Sequence, residues 1–203
     1  MASPANFTGI LLAAGRGRRF DPHGQQDKLL QCFSDRTAVA VRSAQHLNAV
    51  LSQICIVVRH DNAALIREFQ RHAYSPLICC HADTGLAASL TCALAATRDS
   101  AGWLIALADM PFVQTETIHT LLANLHAGAD IVAPVFQGQR GNPVGFSQKH
   151  LPDLMKLSGD QGARRLLASL PLTEVIVNDP GVLQDIDSKD DLRLLGNTAS
   201  SAN

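Results

Sequence analysis

The chain lacks most of what would mark it for an extracellular, membrane or nucleic-acid role. Its five cysteines (Cys32, Cys55, Cys79, Cys80 and Cys92) are odd in number and contain no C-x-x-C pair. That excludes a disulfide framework and a common zinc spacing. The eight histidines show no H-E-x-x-H arrangement, so no metalloprotease-type centre is indicated. Aromatic residues make up only 4%, with one Trp and one Tyr, too few for a cofactor stack. No apolar run approaches the ~20 residues a membrane-spanning helix needs. The formal net charge is −1, so no global field draws the protein to nucleic acid or to a membrane. Met1 to Thr8 carries no basic residue and no apolar core, unlike a secretory signal. A reducing, cytoplasmic setting is expected.

What is present is a globular balance: 203 residues, 46% hydrophobic and 17% charged. That is enough for one sizeable domain. Short β-branched or apolar runs at 7–14, 53–59, 76–81, 102–108, 130–136 and 174–177 read as strands. Between them, 37–50, 62–73, 83–98, 115–126, 152–157 and a segment capped by Asp160 read as helices. A last helix is expected over Lys189 to Leu195. Alternating strands and helices predict a single-domain, three-layer α/β/α fold with a mainly parallel, Rossmann-like sheet. The domain is expected over 1–196, with a disordered tail at 197–203.

Chemistry concentrates at three places. The first is Leu12-Ala13-Ala14-Gly15-Arg16-Gly17-Arg18-Arg19-Phe20, followed by Lys28-Leu29-Leu30. A glycine-rich loop leaving a buried strand, with cations gathered on it, suits a polyphosphate. The spacing excludes two better-known phosphate loops. Phe20 stands where a Rossmann fingerprint needs its third glycine, and Gly24 is followed by Gln25 rather than Lys. The plain alternative is a solvated basic loop. The second place is Asp109, in Leu107-Ala-Asp-Met-Pro111, where a carboxylate at the end of a buried strand can hold Mg²⁺ or merely start a turn. The third is Asp185-Ile186-Asp187, where one carboxylate can be a second metal ligand, or Asp187 or Ser188 can simply cap the last helix. Gly85 and Ser89 would lie near the first turn of a helix, where free N–H groups and a hydroxyl can meet a ligand.

In this order and at these spacings, the motifs resemble the molybdenum cofactor nucleotidyltransferases. Those that carry the resemblance are Leu12 to Phe20, Lys28-Leu-Leu, Gly85-Leu-Ala-Ala-Ser89-Leu, Ala108-Asp-Met-Pro111, Arg140-Gly-Asn-Pro-Val-Gly-Phe146, Gly159-Asp-Gln-Gly-Ala-Arg164 and Asp185-Ile-Asp187. The resemblance implies a nucleotide-diphospho-sugar transferase (GT-A-like) sheet, with a nucleotide-binding part at about 7–112 and an acceptor-binding part at about 113–196. It implies that Leu12, Ala13, Ala14, Gly15, Arg16, Gly17, Lys28, Gly85, Ser89 and Asp109 bind nucleotide. Lys28, Arg19 and Asp109 would be catalytic, and Asp109 and Asp187 would bind Mg²⁺, with Asp187 preferred over Asp185. Arg140, Gly141, Asn142, Pro143, Asp160 and Arg164 would line the acceptor pocket. Alanine at 14, where the guanylyl branch typically has glycine, looks like the cytidylyl branch. The implied partners are CTP and molybdenum-loaded molybdopterin, with no nucleic acid and no membrane. Other readings are a guanylyltransferase, a sugar- or alcohol-phosphate nucleotidyltransferase, or a carrier that delivers the cofactor to a molybdenum hydroxylase apoenzyme.

Overall fold

The computed structural model describes residues 6–17, 19–21, 23, 25–159, 167 and 170–192. The chain opens with β1 (Phe7–Leu12), every residue of which is buried. That is why it reads as an unbroken apolar run: a central parallel strand is covered on both faces. A turn at Lys28–Leu30 leads to α1 (Val39–Asn48), and β2 (Ile54–Arg59), α2 (Ala63–Arg71) and β3 (Leu77–Cys79) follow. Then come α3 (Leu86–Ala96), β4 (Gly102–Leu107), α4 (Thr115–His126) and β5 (Ile131–Phe136). The second half continues through β6 (Gln139–Arg140), β7 (Val144–Ser147), α5 (Leu151–Leu154) and β8 (Thr173–Ile176).

These strands form one sheet in the order β3-β2-β1-β4-β7-β5-β6, with β8 also paired to β5. β3, β2, β1 and β4 are mutually parallel, and β8 is parallel to β5. β7 is antiparallel to both of its neighbours, β4 and β5, and β6 is antiparallel to β5. The sheet is therefore mixed, with a parallel core. The stretch after β5, expected as a turn running into apolar residues, makes the two antiparallel strands.

Alternate residues feed two cores. Leu11, Ile56, Val58, Leu104 and Val132 pack under Val41, Leu47, Leu65, Phe69, Leu121 and Leu125 of α1, α2 and α4. Ile10, Leu12, Val57, Trp103 and Ile105 pack under Leu90 and Leu94 of α3 and Leu154 of α5. Helices on both faces give the expected three layers. α4 has the expected bounds. The helix expected from Asp83 is instead a turn at Ala82–Thr84, then α3 from Leu86, because Gly85 at φ 123° cannot continue a helix. The segment capped by Asp160, and the last helix beyond residue 192, lie outside the described residues.

Candidate active site

β1 and β4 are adjacent and in register, Leu12 beside Leu107. The loop after β1 and the residues after β4 therefore emerge side by side at the C-terminal lip of the sheet, where open α/β sheets place ligands. Two features of the first loop leave its backbone approachable. Gly17 adopts φ +59°, and a side chain on Gly15 would meet nothing within 4 Å. Lys28 follows in a short turn capped by Asp27, which accepts from the Leu29 N–H at 2.9 Å. The Asn62 amide donates to the other Asp27 oxygen at 2.6 Å, while the Asn62 side chain also caps α2. The backbone of Lys28 is thus tied to β2 and α2.

The ammonium of Lys28 donates to Asp109 Oδ2 at 2.7 Å and to Asp187 Oδ1 at 3.0 Å. Arg19 pairs with Asp187 Oδ2 at 2.5 Å. Burial alone would push Lys28 down, but the two carboxylates outweigh it and hold its pKa above the ordinary value. Asp187 reaches this position because the chain around it is anchored twice. Ile186 is fully buried and donates its N–H to the Asp109 carbonyl at 2.9 Å. Ser188, not Asp187, caps the last helix, accepting from Asp191 N–H. The Asp191 carboxylate accepts in return from the N–H groups of Asp187 and Ser188.

Asp185, set aside in the sequence in favour of Asp187, is brought to the same place. Asp109, Asp185 and Asp187 each offer an oxygen, and the three atoms lie within 4.8 Å of one another. Burial raises the Asp185 pKa, and the charges of Asp187 and Asp109 raise it further. Asp109 Oδ1 is buried and has no hydrogen-bond partner among the described residues. Three convergent carboxylates, one with an unsatisfied buried oxygen, fit a hard divalent cation that takes oxygen ligands.

The other expected site residues are distributed around this centre. Arg16 turns away from it, to Asp83 at 2.6 Å and Asp61 at 3.4 Å. Its hydrogen bond to Asp83 is the main cause of its raised pKa. A cleft of about 470 Å³ lies between the loop and the β2–α2 turn, lined in part by Arg16, Asp27, Arg59, Asp61 and Asn62. Leu12, Ala13 and Ala14 are buried. Ser89, in the first half of α3, is buried with 1% exposure. Arg140 is exposed on β6 and pairs with Glu174 of β8 at 2.8 Å. Gly141 and Asn142 donate backbone N–H groups to Pro134 and Val182 carbonyls, and the Asn142–Pro143 bond is cis. Asp160, Arg164 and Arg18 lie outside the described residues.

A glycine loop, a lysine and three carboxylates thus meet at the C-terminal lip of the parallel strands, an arrangement that suits a phosphate-bearing ligand and a divalent cation. Residues 9–175 match the model of the MobA-like NTP transferase domain, and the chain belongs to that family. It is 29% identical to the purine catabolism protein PucB of Bacillus subtilis, across 94% of this chain and 96% of that one. It is 27% identical to the nicotine blue oxidoreductase of Paenarthrobacter nicotinovorans, across 93% and 96%. Among solved structures it resembles Rv0371c of Mycobacterium tuberculosis, with a TM-score of 0.77 and 26% identity over 95% of this chain and 98% of that one. A manganese complex of Rv0371c has the same fold, with a TM-score of 0.75, 24% identity, and 95% and 99% coverage.

Proposed function

We propose that this nucleotidyltransferase moves CMP from CTP to the terminal phosphate of molybdenum-loaded molybdopterin, giving the cytosine dinucleotide form of the cofactor and pyrophosphate. The observation that carries the proposal is the Lys28–Asp109–Asp187 cluster at the shared lip of β1 and β4, beside an approachable glycine loop. An oxygen of the acceptor phosphate forms a bond to the α-phosphorus of CTP. The bond from that phosphorus to the bridging oxygen breaks, and pyrophosphate leaves with the electron pair. The attacking phosphate is already an anion, so the reaction needs no strong general base. Positioning and charge neutralisation can supply the catalysis.

In this scheme the loop from Leu12 to Gly17 receives the triphosphate on its backbone N–H groups, and Lys28 and Arg19 neutralise its charge. Gly85 and Ser89 shape the base and ribose end. Asp109 and Asp187, with Asp185 beside them, hold Mg²⁺, which when bound offsets the charge of the phosphates. Arg140 to Pro143, with Asp160 and Arg164, receive the acceptor. The choice of CTP rests on Ala14, whose methyl stands where the guanylyl branch typically has glycine. The manganese complex of Rv0371c supports a divalent-metal site in this fold.

The test is pyrophosphate release from CTP, GTP, ATP or UTP with Mg²⁺ and loaded molybdopterin, together with analysis of the dinucleotide product. Release with CTP alone, or strongly preferred, is expected. Preference for GTP would remove the role given to Ala14. Absence of release with all four would favour a different acceptor or a carrier role toward a molybdenum hydroxylase.

A further inference from the structure

Lys28 occupies the place between Asp109 and Asp187 that a cation bridging them would need. Its ammonium lies 2.7 Å from one carboxylate and 3.0 Å from the other, and its side chain is only 10% exposed. A divalent ion bound to the same two oxygens would stand directly beside that ammonium. The two cations exclude each other. We infer that Lys28 is a resident counter-ion of the three-carboxylate centre, and that a divalent cation enters only as the lysine leaves.

The rest of the side chain limits how it can leave. Its backbone is held by the Asp27 cap and, through Asp27, by Asn62. Its stem runs under Gly17, where an added Cβ would lie 3.4 Å from Lys28 Cγ. Only the outer part of the side chain can swing, and it swings on the side of the glycine loop. An anion on that loop gives the ammonium a new partner, and the vacated carboxylates then take the metal. Asp185 completes the exchange: its oxygen lies within 4.8 Å of the other two, and the unpartnered Asp109 Oδ1 is a further donor. Arg19 is different. It is 81% exposed and pairs with Asp187 through Oδ2, the oxygen that Lys28 does not take, so it can stay while the metal binds. This inference rests on the metal-centre reading above, and it gives the lysine two alternating partners instead of one.

The test uses Mn²⁺ alone, without nucleotide, followed by electron paramagnetic resonance of the free ion and by thermal unfolding. Lys28→Met keeps the stem and removes the charge, and Lys28→Gln keeps some polarity. Both are expected to bind Mn²⁺ more tightly than the wild type, by a factor in the ~5–150 range of typical site coupling. Both should also gain more thermal stability from Mn²⁺ than the wild type does, a readout that remains if one variant is unstable without metal. Arg19→Gln removes an equal charge and is expected to change Mn²⁺ affinity much less. Wild-type affinity in both Lys28 variants would overturn the inference. So would an equal gain in Arg19→Gln, because net charge rather than occupancy would then explain the effect. Since no nucleotide is present, a failed CTP assay leaves this result standing, and the converse holds.

Discussion

Asp179 anchors the turn that precedes Asp185-Ile186-Asp187. It is 1% exposed and accepts three hydrogen bonds. Oδ2 takes the Gln114 N–H at 2.9 Å and the Thr117 hydroxyl at 2.7 Å, and Oδ1 takes the Gly181 N–H at 2.9 Å. Through these bonds one carboxylate caps α4, which has no side-chain cap of its own, and starts the turn at Pro180–Leu183. That turn feeds directly into Asp185-Ile186-Asp187. It is also packed closely, since a Cβ on Gly181 would lie 2.1 Å from the Phe112 carbonyl oxygen. Hydrogen bonds to a charged acceptor contribute about 1.5–3 kcal/mol each, and each buried donor left unpaired costs about 1–3 kcal/mol. Relief of carboxylate desolvation opposes these terms, so Asp179→Ala is expected to cost about 3 kcal/mol. Asp179→Asn has one acceptor oxygen for two sets of donors. If that oxygen serves Gln114 and Thr117, its NH₂ faces the Gly181 N–H, and an intermediate loss of about 1–2 kcal/mol follows. Urea unfolding at neutral pH measures both variants. A loss below about 1 kcal/mol for Asp179→Ala, or a larger loss for Asn than for Ala, would refute the reasoning.

Two further substitutions probe the centre and its surroundings. Asp109→Ala should abolish nucleotidyl transfer while the protein stays folded, because the carboxylate lies just after β4 at the lip rather than filling the core. Near-normal turnover with Mg²⁺ would remove Asp109 from the metal site. His46 tests the pH dependence of stability. Burial holds its pKa below the ordinary 6.5, and its Nδ1 lies 2.9 Å from the Val113 carbonyl, which can only accept, so Nδ1 carries the proton. Below 6.5 the unfolded chain therefore binds a proton that the folded chain refuses. The His46 contribution is complete above that value and is lost as pH falls through the folded pKa, with a slope of at most about 1.4 kcal/mol per pH unit. His46→Gln keeps a donor and should flatten this part of the stability profile. An unchanged acid slope would show that His46 does not set it.

The elements legible in the sequence were those with a strong local period. α4 places Ile118, Leu121 and Leu125 on one buried face, and that spacing fixed both of its ends. β1 and β4 were legible as apolar runs buried on both faces. The reversal of β7 was not, because Val144 to Ser147 is as apolar as a parallel strand, and direction is decided by the hairpin before it. There Gln137 and Gly138 take φ values of 49° and 78°, which suit a two-residue hairpin turn. At the site, Lys28, Asp109 and Asp187 could be singled out because each sits in a recognisable local motif. Asp185 could not, since residues two apart look alike until Ile186 is seen locked against the Asp109 carbonyl. The partners of Arg16 were equally hidden, because Asp61 and Asp83 lie 45 and 67 residues away.

The antiparallel β7 has a consequence for how this enzyme type can diversify. Because β7 runs against its neighbours, its beginning, not its end, lies at the lip where β4 finishes, with Val144 paired to Ile105. The connection entering β7, Gly141 to Pro143, thus arrives at the same edge as Asp109 from the opposite direction. β7 fills the space between β4 and β5, paired to both, and sets them two strand widths apart, about 10 Å. Loops leaving parallel strands and a loop entering a reversed one are built from separate stretches of chain. The segment entering β7 can therefore be altered over evolution through one hairpin, while the loop after β1 and the residues after β4 keep their geometry.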